Sequence, residues 1–392
     1  MQASRGMDTY AVRFIALVAI GVVAAASIRL VLAAESPPSP EGMATAPGLP
    51  EHQDLPPLEL RSAMDVSEHA PPTAPAQTTA TPPTAPTAAP TTPPPERGRL
   101  VLHGTGDVNL DPTYISTFAS QGYAYAWSGL DGLFAGDDLT VVNMECAVSE
   151  LGSPLDKQFT FRCDPEALPA ARAAGVEAAS LANNHGRDFG EAALLDSRTV
   201  LASAGIAPVG VGANIDQAME PAIFEVNGWT VAVVGMGGVV ETAEWLAGPD
   251  HAGMVSGDDI PEMVETVRRA DAAADLVFVT IHWGTELDTQ PRPEDIERAE
   301  AMIDAGADGI FGHHAHRLQP LGWYAGKPIA WGLGNFVWPN FSAEGSRTAV
   351  AEFVVHPDGT MAACLVPAFI QAPGHPVLDD PYPGPCAEAG PG

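Results

Sequence analysis

Positive charge is scarce in this chain. Eighteen lysines and arginines stand against 49 aspartates and glutamates, a formal net charge of −31 at pH 7. Phosphate backbones are held by basic patches, so this balance argues against nucleic acid as a partner. It argues equally against docking on anionic lipid, and fits an exposed domain that repels other polyanions. Cysteine is scarce too. Cys146, Cys163, Cys364 and Cys386 are not spaced as a zinc knuckle, and no cysteine ligands are expected. They fall into two local pairs. In an exported chain Cys146–Cys163 and Cys364–Cys386 are candidate disulfides, although four cysteines allow three connectivities. A Walker-type phosphate loop is also missing, because residues 322–327 lack the spacing and the following Ser or Thr.

What is present is unevenly distributed. Residues 1–34 hold Arg5 and Arg13 and then an apolar run, the pattern of an export signal. The run could be a cleaved signal peptide or an uncleaved signal anchor. Its length, near the ~20 residues that span a bilayer, favours the anchor. The rest of the chain is then expected outside the cell membrane, anchored to it, or secreted if the leader is cut. Residues 35–97 are rich in Pro, Thr and Ala, which cannot bury a core and favour an extended, solvated, disordered linker. One folded domain is expected over residues 98–372, with 373–392 as a C-terminal tail.

Within that domain apolar runs alternate with helical periodicity. Strands are expected near 100–103, 139–143, 176–182, 206–211, 275–282 and 327–332, and helices over 190–204, 261–273 and 293–305. Asn227-Gly228 between two apolar runs predicts a hairpin, and Pro357-Asp358-Gly359 a second. The fold class is therefore α/β, with a mixed sheet or two packed sheets.

The stretch from Ala307 to His316 gathers the chemistry. An apolar run ends at Gly312 and is followed by His313, His314 and His316. Three other segments have the same strand-then-ligand form: Asp107 with Asn109, Asn184 with His185, and His282. With Glu145 they make a mixed set of carboxylate, amide and imidazole groups at strand ends, where open α/β sheets carry their sites. Such a set suits Mn, Fe or Zn better than Ca or Mg. A carboxylate able to bridge, with ligands from separated segments, matches a two-metal hydrolytic centre, and a histidine outside the shell can protonate a leaving group.

Six motifs in order then carry a resemblance: Gly106-Asp107, Asn143-Met144-Glu145, Ala182 to Gly190, His282 to Glu286, Gly306 to His316, and Leu333 to Phe336. They resemble the CapA (poly-γ-glutamate/capsule biosynthesis) family of the calcineurin-like metallophosphatase superfamily, over roughly residues 99–372. The resemblance implies a four-layer α/β/β/α metallophosphatase-like sandwich. It implies metal ligation by Asp107, Glu145, Asn184, His282, His314 and His316, with Glu145 in the bridging place, and His185 as general acid. It departs from the wider superfamily at Asn109, where a histidine is usual, and at Glu145, where an aspartate is usual. One divalent ion or two, and a catalytic or a non-catalytic site, both stay open.

Asn109, Glu286, His313 and Asn335 are candidates for supporting the ligands or touching substrate. Arg162 and Arg187 could meet an anion, although isolated arginines usually make solvated ion pairs. The expected function is a metal-dependent hydrolase or transferase acting on an anionic polymer or its precursor, within a membrane polymer-synthesis complex. The alternatives are a non-catalytic binding or assembly subunit for such a polymer, or an exported general phosphoesterase.

Overall fold

The structure is a computed structural model that describes residues 96–386. The expected export segment and nearly all of the linker lie outside the described residues, as do residues 387–392. Among the described residues no helix is long and apolar enough to cross a membrane.

Fourteen strands and four helices carry the architecture. The strands are β1 (Leu100–Val108), β2 (Leu139–Met144), β3 (Val176–Ser180), β4 (Ala207–Val209), β5 (Ala222–Val226), β6 (Trp229–Gly237), β7 (Leu276–His282), β8 (Gly309–His313), β9 (Leu321–Tyr324), β10 (Lys327–Ala330), β11 (Asn335–Val337), β12 (Arg347–Val355), β13 (Met361–Ala372) and β14 (His375–Leu378). The helices are α1 (Leu168–Ala174), α2 (Glu191–Ser203), α3 (Ile260–Asp271) and α4 (Pro293–Asp304). The first sheet runs β14-β13-β12-β1-β2-β3-β4, with β11 alongside β1; the second runs β9-β10-β8-β7-β6-β5. Both are mixed. β1, β2, β3 and β4 are mutually parallel, as are β6, β7, β8 and β10, while hairpins close the edges.

The central strands read as unbroken apolar runs because both of their faces are covered. All nine residues of β1 and all seven of β7 are buried. One apolar cluster lies between the sheets and joins Leu100, Leu102 and Val141 of the first to Val231, Phe278 and Phe311 of the second. Phe353 of the first sheet stacks on Phe311 at 4.5 Å and meets Phe278 at 6.3 Å. Each such fully buried ring contributes about 1.5–3 kcal/mol by area. Close approach of the sheets needs glycine at Gly104, where a Cβ would lie 2.2 Å from the Phe311 ring. On the outer faces α1 and α2 pack on the first sheet through Leu168, Leu194 and Leu201, and α3 and α4 on the second through Met263, Val267, Met302 and Ile303.

Local chemistry sets the boundaries. Asn227 and Gly228 both adopt positive φ (48° and 78°), as a two-residue hairpin turn requires. Asp259 caps α3 by accepting from the Glu262 amide at 3.1 Å, and Pro261 opens the helix. The first sheet continues past residue 372: Gly374 turns the chain at φ 69°, β14 pairs with β13, and Cys386 is bonded to Cys364 with Cα atoms 5.9 Å apart. The other two cysteines, Cys146 and Cys163, are also bonded, with Cα atoms 5.6 Å apart.

Candidate metal centre

The parallel strands of both sheets end on the same side, and their ends converge. Asp107 closes β1, Glu145 follows β2, Asn184 follows β3, His282 closes β7, and His313, His314 and His316 end or follow β8. The approach of these ends is built into the backbone. A Cβ at Gly106 would lie 2.2 Å from the Gly334 carbonyl, and that carbonyl accepts from the Asp107 amide at 2.9 Å. His314 (φ 85°) and His316 (φ 49°) sit in the left-handed region, which side chains other than Gly, Asn and Asp seldom adopt. Local strain of this kind is held in place by surrounding structure and concentrates at functional sites. Part of the support is the bond from the Leu287 amide to the Ala315 carbonyl, 2.7 Å.

Glu145 stands at the centre. Its Oε1 has His282 Nε2 at 3.7 Å, His316 Nε2 at 3.9 Å and His185 Nε2 at 4.0 Å. Ligand atoms of Asp107, Glu145 and His282 lie within 4.8 Å of one another. None of the Glu145 distances is a hydrogen bond, and both Glu145 oxygens are buried without a partner. His313 Nδ1 and His314 Nδ1 share that condition, and Asp107 Oδ2 has only the contact with His316 Nδ1 at 3.1 Å. Orphaned buried polar atoms are rare and expensive in folded proteins, about 1–3 kcal/mol each. The unpartnered Glu145 oxygens, with ligand atoms of Asp107 and His282 within 4.8 Å, make a set that a divalent cation satisfies. The residues therefore fit Mn, Fe or Zn.

Buried amides orient this set. Asn143 Nδ2 donates to Asp107 Oδ1 at 2.9 Å and lies 3.2 Å from His282 Nδ1, while its own oxygen accepts from Asn183 at 3.0 Å. His282 Nε2 meets Asn184 Oδ1 at 2.8 Å, so two expected ligand atoms touch each other. Asn335 Oδ1 accepts from His316 Nδ1 at 2.8 Å, and its amide donates to the Gly345 carbonyl at 2.9 Å. His313 is fixed by Thr280 Oγ1, 2.9 Å from its Nε2, with Nδ1 3.7 Å from Asp107. His314 lies against His282, ring centres 4.8 Å apart.

Electrostatics follow from burial and crowding. Burial, then the neighbouring charges of Asp107 and Glu286, push the Glu145 carboxyl well above its usual range. Burial would raise Asp107 as well, but His316, 3.1 Å away, with His282 and His313, holds it well below. Burial lowers His313 and His314 to about 4, and burial, then His314, holds His282 well below its usual value. His316 is raised, because Asp107 and Glu286 outweigh its burial. Imidazoles kept neutral have a free lone pair for a cation.

His185 is built differently. Its Nδ1 donates to Asp188 Oδ2 at 2.6 Å, its ring lies 4.1 Å from that of Phe161, and its Nε2 faces the carboxylate cluster. Burial lowers it, opposed by Asp188. This is the posture of a proton donor oriented by a carboxylate.

The sequence-expected candidates thus divide. Asp107, Glu145, Asn184, His185, His282, His314 and His316 come together. His313 and Asn335 support them. Glu286 is exposed and acts through its charge. Asn109 is held by the next turn: its Oδ1 accepts from the Asp111 amide at 2.8 Å, beside Cys163, and its Nδ2 is buried without a partner. Arg162 is committed to the Ser149 and Leu151 carbonyls and to the Phe189 ring, and Arg187 to the Glu244 and Ala252 carbonyls and to Glu191. Asn143, Lys157 and Asp188 were missed as individuals. Asn143 and Asp188 stand inside quoted motifs, so position beside ligands was their only signal.

Comparisons with known proteins show what the chain is similar to. The family model described as "Bacterial capsule synthesis protein PGA_cap" matches residues 101–340. The chain is 32% identical over 212 residues to a probable polyglutamine synthesis accessory protein of Mycobacterium tuberculosis, covering 51% of this chain and 55% of that one. It is 32% identical over 221 residues to the capsule biosynthesis protein CapA of Bacillus anthracis, covering 55% and 53%. It is 28% identical over 259 residues to the PGA biosynthesis protein CapA of Bacillus subtilis, covering 65% and 67%. The match thus spans about half the length of the first two of these relatives. Among solved structures, a putative 5′-nucleotidase of Staphylococcus aureus aligns with TM-score 0.45 and 14% identity, over 72% of this chain and 55% of that one.

Proposed function

The chain belongs to the PGA_cap family of bacterial capsule synthesis proteins, and we propose that it serves capsule or poly-γ-glutamate synthesis as a metal-dependent hydrolase or transferase. Its substrate is an anionic polymer or the precursor of one. Its place is outside the cell membrane, held there by the N-terminal segment and working beside a membrane polymer-synthesis complex. We read the two facing sheets with outer helices as a metallophosphatase-like sandwich.

The observation that carries this is Glu145, a buried carboxylate ringed by three imidazole nitrogens with both oxygens unpartnered. Asp107, Glu145, Asn184, His282, His314 and His316 would hold one or two ions of Mn, Fe or Zn. When bound, such ions lower the pKa of a water and polarise an electrophile. The chain's own residues do the rest. His316 is held in place by Asn335. Asn143 fixes the Asp107 carboxylate and the His282 ring. Water bonds to the phosphorus or carbon while His185 gives its Nε2 proton to the departing oxygen or nitrogen, and the proton that this water gives up restores the imidazolium. Phe161 and Trp338, which meet edge to face at 5.4 Å, flank His185 and His316 and shield this edge of the site from bulk water.

A second reading, a non-catalytic assembly subunit, draws support from Asn109, which stands where the superfamily has a histidine and whose Oδ1 is taken by the Asp111 amide. Turnover separates the two. The full-length chain with added Mn should cleave a generic phosphodiester or poly-γ-glutamate, and the preferred substrate identifies the bond. No turnover of either, by a chain that binds metal, would favour the assembly subunit.

A further inference from the structure

The chain has two lysines, and one of them, Lys157, is nearly buried beside the site. It sits in the segment 149–161, much of which is exposed. Lys157 Nζ donates to Asp188 Oδ1 at 2.7 Å and to the Asn184 carbonyl at 2.5 Å. It lies 3.2 Å from Glu241 Oε1 and 5.0 Å above the Trp245 ring. Burying an ammonium costs several kcal/mol unless it is paired and hydrogen-bonded. A bland surface loop does not need one.

The partners of that ammonium give it meaning. Asp188 is fully buried, and each of its acceptors is spoken for. Oδ1 takes Lys157; Oδ2 takes His185 Nδ1 at 2.6 Å and the Phe161 amide at 2.8 Å. Its backbone carbonyl takes the Leu155 amide at 2.8 Å. Three of these four contacts come from the 149–161 segment, and the fourth is the proton donor. Asn184, whose carbonyl Lys157 also holds, carries an expected ligand oxygen.

We propose that Lys157 is a positioning residue: it locks Asp188, and through Asp188 the tautomer and orientation of His185, so that seating of the 149–161 segment assembles the proton donor. The inference rests on the reading of His185 as general acid. Asp188 holds the proton of His185 on Nδ1 and supports the imidazolium, while Nε2 faces the reacting bond. Without the ammonium, Oδ1 loses its partner and the carboxylate can turn away from the ring.

Leaving groups test this, because a good leaving group needs no proton and a poor one does. The full-length chain with Mn is assayed on aryl phosphodiesters that release p-nitrophenol or phenol. Lys157→Met should lose about tenfold or more in kcat on the phenyl ester and change little on the nitrophenyl ester, with KM unchanged. Lys157→Arg should recover most of the loss. An equal loss on both esters would overturn the proposal and leave Lys157 a structural brace. If Lys157→Met fails to fold, Lys157→Gln is read by the same criteria. A second readout needs no turnover. The low-field proton resonance of His185 Nδ1–H, identified by its loss in Asp188→Asn, should shift upfield or vanish in Lys157→Met. An unchanged resonance refutes the proposal. Wild-type chain inactive on both esters refutes the hydrolase reading instead, and the resonance then decides the fate of Lys157.

Discussion

Glu145→Gln makes a demanding prediction, because it separates what the fold needs from what the site needs. In the metal-free chain the buried Glu145 carboxyl is raised well above its usual range, first by burial and then by Asp107 and Glu286. The folded state therefore keeps a proton that the unfolded state has released above about pH 4.5. Where the folded state binds more protons, stability falls as pH rises, by about 1.4 kcal/mol per pH unit for one proton. The fall starts at the unfolded pKa and ends where the folded pKa is passed. Glutamine cannot ionise and lacks this slope. The lowered histidines contribute the opposite slope below about pH 6.5, but they are common to both proteins and largely cancel in the difference. Urea unfolding in chelator from pH 5.5 upward should thus show Glu145→Gln gaining on wild type as pH rises, by up to about 1.4 kcal/mol per pH unit, until the folded-state pKa is passed. With Mn at 100 times its Kd wild type alone should gain about 2.7 kcal/mol, which narrows the gap at every pH. Parallel pH profiles would refute the buried neutral acid. Equal stabilisation of both by Mn would refute Glu145 as a ligand.

Other perturbations reach other parts of the account. His185→Ala should keep bound metal and lower turnover by about 10²- to 10⁴-fold, read by metal analysis and kcat on one sample. Phe311→Ala removes a ring packed between the sheets and should cost about 3–5 kcal/mol in urea unfolding. Cys364→Ser with Cys386→Ser releases the C-terminal segment from the sheet and should cost about 2–4 kcal/mol under non-reducing conditions.

Much of this was legible in the sequence, for identifiable reasons. Elements with one strong local signal fell within a few residues of their expected limits: Asn227-Gly228 fixed a hairpin, and Pro293 and Gly306 bracketed a helix. The convergence of these side chains was legible because strands end in polar clusters, and the motifs gave their order. Less legible were features that depend on contacts far along the chain. β11 is three residues long and is a strand only because β1 lies beside it. β14 exists because Gly374 lets the chain turn back onto β13. Arg162 and Arg187 look available for an anion in sequence, and packing commits both to backbone carbonyls. Lys157 carries no local mark at all, since its partner Asp188 lies 31 positions away.

The most direct measurement is the metal content of the full-length chain purified without chelator, beside that of His314→Ala with His316→Ala. About one to two equivalents of Mn, Fe or Zn are expected in the wild type and a large loss in the double variant, with the fold retained by circular dichroism. A folded wild-type chain that holds no divalent ion, even after incubation with excess Mn and Zn, would contradict the metal-centre reading.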